Sequence, residues 1–338
     1  MKKILSIMLI LAMVLGLAAC GSSSGEPATE AAAEAAVTED DGEAATDIVD
    51  SKMSDSETSK DENNDATIGE NTTEAITFDS NVQVGDYITF GTYEQDNDLT
   101  NGAEPIEWRV LATDSDYSLI ISKYGLDAKA YDTDDSLVTW ETCTLRSWLN
   151  GYDASSNADG EDYTSYSFIS TAFNATEQAA IRITTVQNPD SYFGRDSDEN
   201  YIVNNTGTGI EKNLEQMSGG NTTYDKVFLL SLDEAQTYFD CTEQSLTKSN
   251  GTHYYGYPDL QTSATAYAVA QGASKDNDYN ITAAGDECCW WWLRSLGKGR
   301  YTASCVNHYG VCEGDISVKN VYIAVRPALW VETSYLKQ

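Results

Sequence analysis

Residues Gly21 to Ser80 carry 17 acidic and two basic side chains, with Phe78 as their only aromatic, and this stretch separates what the chain can fold from what it cannot. A segment with so few apolar groups and so much like charge buries too little surface to offset the entropy of ordering it. The expectation is a disordered, solvated spacer spanning roughly 40 Å as a neutral coil, and more under self-repulsion. Past it the composition reverses, because all seven Trp lie between Asn81 and Gln338. A stretch of that length can bury one sizeable core. The expected organisation is therefore a leader at 1–19, a spacer at 20–80 and a globular domain at 81–338.

Charge narrows the partners. The whole chain carries −34, and the 81–338 stretch alone holds 37 acidic against 16 basic side chains, a net −21. Such a head repels phosphate backbones and anionic headgroups, so nucleic acid is not expected as a partner. The leader has its own pattern. Lys2-Lys3 precede the run Ile4 to Leu17, apolar apart from Ser6, as in the charged and apolar regions of a secretory signal, and the run is short for a transmembrane span. Leu17-Ala18-Ala19-Cys20 resembles the bacterial lipoprotein lipobox. The resemblance implies a diacylglycerol on the Cys20 thiol, cleavage before Cys20, and a mature chain tethered to the membrane through that lipid alone.

In the head, Val84 to Gly91 alternates as a strand does, and Ile106 to Ala112 with Tyr117 to Ser122 reads as a hairpin. Leu145, Trp148 and Leu149 have helical spacing and stop at Asn150-Gly151, while Thr176 to Ile183 predicts another short helix. Asn188 to Tyr224, rich in Asn, Asp, Gly, Ser and Thr, reads as a long surface insertion. Val227 to Leu230 is a buried-strand candidate, and Ser231 with Glu234 has capping-box spacing ahead of a helix through Phe239. Ala264 to Gln271 predicts a helix closed by Gly272, and strand character returns at Trp290 to Leu293, Thr302 to Asn307 and Val321 to Val331. Short strands mixed with short helices, without βαβ alternation, argue for the α+β class.

Several of these pieces occur together and in order: Val84 to Gly91, Trp108 to Leu111, Leu145 to Leu149, Ala266 to Gly272, Trp292 to Ser295 and Val325 to Trp330. In that combination the head resembles a bacterial surface-protein domain of unknown function, similar to the C-type-lectin-like fold in the branch that includes formylglycine-generating enzymes and the variable proteins of diversity-generating retroelements. The resemblance implies that Gly297 to Asn320, between two apolar strands, exposes a ligand surface. Its candidate residues are Lys298, Arg300, Tyr301, Asn307, His308 and Tyr309, which offer stacking area and hydrogen bonds to a glycan or a protein epitope. Trp291 joins them, because alternation turns it away from Trp290 and Trp292 onto a face that would be open. Arg294 and Arg326 are expected to be structural, bridging carboxylates or loop carbonyls. The adenine-accessible residue set of Gly297 to Tyr322 also raises the alternative of a diversified receptor tip.

Chemistry is sparse. His253 and His308 are the only histidines, and no metalloprotease, Walker or CxxC pattern is present. Gly21 to Gly25 fits G-x-S-x-G but sits in the spacer with no strand before it, so no nucleophile elbow arises. Asp276 to Glu287 imitates an EF-hand loop, with Ile281 in place of the required glycine. No cofactor, metal or catalytic residue is expected. Beyond Cys20 six cysteines remain, compatible with disulfides in an exported protein and without a legible pairing. Cys305 and Cys312 suggest the alternative of an enzyme derived from the formylglycine-generating branch, although neither fits that branch's motif.

Overall fold

The computed structural model describes residues 82–134, 137–247, 253–275 and 287–336. The leader, the lipid-bearing Cys20 and the spacer expected from the sequence, with most of the Asp276–Glu287 loop, lie outside these residues. Along the chain run Tyr87–Tyr93 (β1), Glu104–Thr113 (β2), Tyr117–Ser122 (β3), Asp127–Ala128 (β4), Thr144–Asn150 (α1), Phe168–Ala172 (α2) and Ala175–Ala180 (α3). Next come Thr184–Val186 (β5), Ser191–Arg195 (β6), Tyr201–Asn204 (β7), Lys212–Met217 (β8), Thr223–Asp225 (β9), Val227–Phe228 (β10) and Leu232–Tyr238 (α4). The remainder is Gln244–Thr247 (β11), His253–Gly256 (β12), Ala266–Gln271 (α5), Trp291–Leu296 (β13), Thr302–Val306 (β14), Cys312–Ser317 (β15), Ala324–Val325 (β16) and Ala328–Glu332 (β17). The class is α+β, as expected.

Two five-stranded sheets organise the head, in the orders β1-β2-β3-β17-β10 and β15-β14-β13-β16-β4. The last strand, β17, lies between β3 and β10, so both ends of the head close into one sheet. The hairpin expected from Ile106 to Ser122 is present, with Val110 opposite Ile120. In β2 the alternation buries Ile106, Trp108 and Val110 and turns Glu107 and Arg109 outward. Gly91 permits a bulge in β1: its φ is +68°, and a Cβ there would sit 2.5 Å from the Phe173 ring. That close approach lets Phe90 and Trp108 stack on Phe173, at 5.1 and 6.2 Å between ring centroids.

The helix expectations hold in outline. α1 buries Leu145, Trp148 and Leu149 and ends on Gly151 at φ +72°. Ser231 and Glu234 form the capping box that opens α4. The third helix stops at Ala180, ahead of the expected Ile183, because Ile181 is drawn into an antiparallel bridge with Val331. The expected Val321–Val331 strand is two short ones, β16 and β17, interrupted at Arg326-Pro327.

Two polar stretches are more ordered than their composition predicts. Asn188 to Tyr224 is not a bare insertion but contains a three-stranded sheet, β7-β6-β8. Its anchor is Phe193, fully buried against Gly314, where a Cβ would come within 2.2 Å of the ring. Gly297 to Asn320 is likewise not an open loop, because β14 and β15 within it form an antiparallel pair. Cys143, Cys241, Cys289, Cys305 and Cys312 are free thiols.

Candidate functional site

The residues expected to form one ligand surface fall at opposite ends of β14. Lys298, Arg300 and Tyr301 occupy the β13–β14 turn, while Asn307, His308 and Tyr309 occupy the β14–β15 turn. The intervening five-residue strand holds the groups roughly 17 Å apart. At the first turn Lys298 pairs with Glu215 of β8 at 3.2 Å, and Arg300 and Tyr301 are exposed. At the second, Asn307 is 5% exposed and organises the turn: its Oδ1 accepts from the Tyr309 and Val311 amides, and its Nδ2 donates to Glu313. Asn307 is thus committed to the backbone instead of to an open surface.

The expectation for Trp291 is corrected. β13 is flanked by β14 and β16 and buried on both faces, so alternation moves Trp291 from one covered face to another. Trp291 is fully buried; its indole N–H donates to the Leu260 carbonyl at 3.1 Å and its ring receives the Arg326 guanidinium at 4.9 Å. Trp290 is the half-buried member of the triplet. Its N–H donates to His308 Nδ1 at 2.8 Å, and the His308 ring packs 4.0 Å from that of Tyr309. His308 is 8% exposed, so of the three histidine-turn residues Tyr309 has the most open surface.

Beside this turn lies a cavity of about 330 Å³. Val311 and Cys312 close one side, Tyr201 to Asn204 of β7 with Thr208 another, and Gln236, Cys241, Tyr257 and Leu260 the rest. The turn and Tyr257 are locked together, since the Tyr257 amide donates to the Tyr309 carbonyl at 3.0 Å. Gly310 makes the approach possible: its φ is +79°, and a Cβ would lie 2.1 Å from the Tyr257 carbonyl oxygen. A cavity of this size suits a small ligand or one side chain of a larger one. None of the residues expected to bind a ligand lines this cavity: Asn307, His308 and Tyr309 only build the turn beside it, through which Val311 and Cys312 reach the wall. β7 and Cys241 belong to polar stretches with no motif, and only their pairing in three dimensions makes a site.

The electrostatics of the cavity oppose nucleophilic chemistry. Burial pushes the Cys312 thiol up to about 12, and burial with the Asp240 and Asp259 charges also raises Cys241. Both are held as protonated thiols, which are weak nucleophiles. Burial, with the Glu313, Asp315 and Glu215 charges, pushes the Tyr201 phenol up to about 12. Cys305 and Cys312 do not form a working pair either. Cys305 lies opposite Glu313 and Cys312 opposite Val306, so their side chains leave the β14–β15 ribbon on different faces.

Arg294 and Arg326 are structural, as expected. Arg294 is buried and gives bonds to both Glu234 carboxylate oxygens, to the Leu229 carbonyl at 2.8 Å and to the Gln187 carbonyl at 2.8 Å. Arg326 Nε donates to the Ser122 carbonyl at 2.9 Å, and burial lowers its guanidinium to about 10. Two further clusters exist. Glu94, Asp96 and Glu104 bring their carboxylates within 4.8 Å of one another, the sole such grouping among the described residues. The buried Asp127 accepts from Tyr93 Oη at 2.6 Å and from the Ala128 amide at 2.7 Å, with Lys129 4.0 Å away.

A family model described as a domain of unknown function, DUF6273, matches residues 115–333, and the chain belongs to that family. No curated protein and no solved structure matches the chain.

Proposed function

We propose that this chain is a membrane-anchored extracytoplasmic lipoprotein whose C-type-lectin-like head binds an extracellular glycan or protein ligand without catalysis. The observation that carries the binding reading is the cavity beside the Asn307–Val311 turn, concave, built from four separate elements and lined by tyrosines, amides and protonated thiols. The lectin-like reading is supported by the resembling segments, which fall on β1, β2, α1, α5, β13 and β16–β17 of the compact head. The anchoring reading is supported by the lipobox-like Leu17 to Cys20 and by the head's net negative charge, which leaves lipid as the means of membrane contact. Among the described residues no helix is long and apolar enough to cross a membrane.

The enzyme alternative draws nothing from the thiols, which are buried, raised and turned apart. The diversified-tip alternative meets a packing obstacle. Ala303 to His308 and Gly314 are buried, which confines free variation to positions such as Arg300, Tyr301, Asp315 and Lys319.

A binding panel of glycans and peptides tests the reading, with the full chain and its Thr208→Trp variant run in parallel. Thr208 is exposed at the cavity wall, so the indole plugs the mouth without entering the core. The expected outcome is a ligand bound by the native chain and lost in the variant, with melting unchanged. Ligands retained equally by both, or a measured turnover, would count against the reading.

A further inference from the structure

The cavity lining holds no charged side chain, yet the groups around it are mostly acidic. Glu313, Asp315 and Glu215 act on Tyr201, Asp240 and Asp259 on Cys241, and Glu243 on Tyr257. Two of these acids are paired, which leaves Glu313, Asp315, Asp240 and Glu243 against the one further base acting on the cavity tyrosines, Arg195. Arg109 forms a bidentate pair with Asp259 at 2.6 and 3.0 Å, Lys298 pairs with Glu215, and Arg195 donates to the Glu199 carbonyl. An anion entering here meets more acids than bases and no guanidinium or ammonium in the lining to bind it. A small hard cation meets no carboxylate in the lining to replace its water. A bulky, weakly hydrated cation meets a lining that includes Tyr201, Tyr257, Cys241 and Cys312, with aromatic and polarisable groups to offer, and the acidic surroundings.

We infer that this cavity takes an organic ammonium group, of the methylated or alkylated amine type, whether free or carried on a larger molecule. The inference rests on the binding role proposed above and names its ligand class. Recognition is by the charge and shape of the ammonium, with the tyrosine rings against its alkyl groups and the carboxylates acting at longer range.

The test is calorimetric titration of the full chain in non-ionic detergent with choline, with the neutral isostere in which carbon replaces nitrogen, and with phosphocholine. Choline should bind at least about fivefold more tightly than the isostere, the increment of a cation over aromatic faces. Phosphocholine should bind more weakly than choline, because its phosphate meets the Glu313 and Asp315 charges; the reverse order would overturn the inference and assign the site to a phosphorylated headgroup. Glu313→Gln should weaken choline by about threefold or more and leave the isostere unchanged, and Tyr201→Leu should weaken choline by about threefold more than it weakens the isostere. Glu313→Gln keeps an acceptor for Asn307, so it serves even if the tyrosine variant folds poorly. Equal binding of choline and isostere, or no choline binding while a panel ligand remains sensitive to Thr208→Trp, overturns the inference and leaves the binding role standing. If no ligand is sensitive to Thr208→Trp, the binding role itself fails.

Discussion

Asp127 shows how one residue of this head carries a cost set by its surroundings. Its carboxyl is 1% exposed, and burial raises its pKa despite the opposing Lys129 charge and the Tyr93 and Ala128 hydrogen bonds. A carboxyl whose folded pKa lies above its unfolded value binds its proton more tightly in the folded state. Stability from this group is therefore greatest below the unfolded value of about 3.9 and falls as pH rises through the folded pKa. Denaturation followed across the acid range should show that fall in the native chain and a flatter profile in Asp127→Asn. An identical slope in both would mean that other carboxyls set the acid behaviour. Asp259 behaves oppositely: burial raises it, but the Arg109 pair and the Asp240 amide outweigh that and hold its pKa low, so its contribution is lost as pH falls.

At the scale of elements, two similar tripeptides do similar work. Leu145-Arg146-Ser147 places its arginine on the buried Asp225 at 2.7 Å, and Leu293-Arg294-Ser295 places its own on Glu234. Arg294 ties β13 to the first turn of α4, whose Ser231 amide also bonds Glu234 at 3.0 Å. Glu234→Ala removes the cap and leaves a guanidinium that is 2% exposed without its counter-charge. Because the Glu234 side chain is itself a third open, the expected loss is about 2–3 kcal/mol, below that of a fully buried pair. Chemical denaturation measures it, and a loss under about 0.5 kcal/mol would show that the Leu229 and Gln187 carbonyls suffice for Arg294.

These elements also show what was legible. The β2–β3 hairpin, α1 with its Gly151 stop and the capping box of α4 follow from local spacing, because alternation, glycine caps and Ser/Glu boxes are short-range signals. β14 falls on the expected Thr302–Asn307 strand, whereas the β7-β6-β8 sheet and the pairing partner β15 are not legible, because their burial depends on distant partners, Phe193 against Gly314 above all. Trp291 was misread for the same reason, since strand alternation gives two faces and does not say whether both are covered. The expected Asn307, His308 and Tyr309 mark the turn beside the cavity but not its lining, and the β7 and Cys241 walls carry no local signal.

At the scale of the whole molecule, sheet closure by β17 and the opposed turns of β14 set the layout. One turn carries Lys298, Arg300 and Tyr301 in the open, and the other closes a cavity with β7 and Tyr257. The central claim is that recognition belongs to the second. Amide hydrogen exchange of the full chain, with and without a ligand taken from the binding panel, decides between them. The account predicts added protection at Tyr201 to Asn204 and at Asn307 to Cys312, with Lys298 to Tyr301 unchanged. Protection confined to Lys298 to Tyr301 would contradict it.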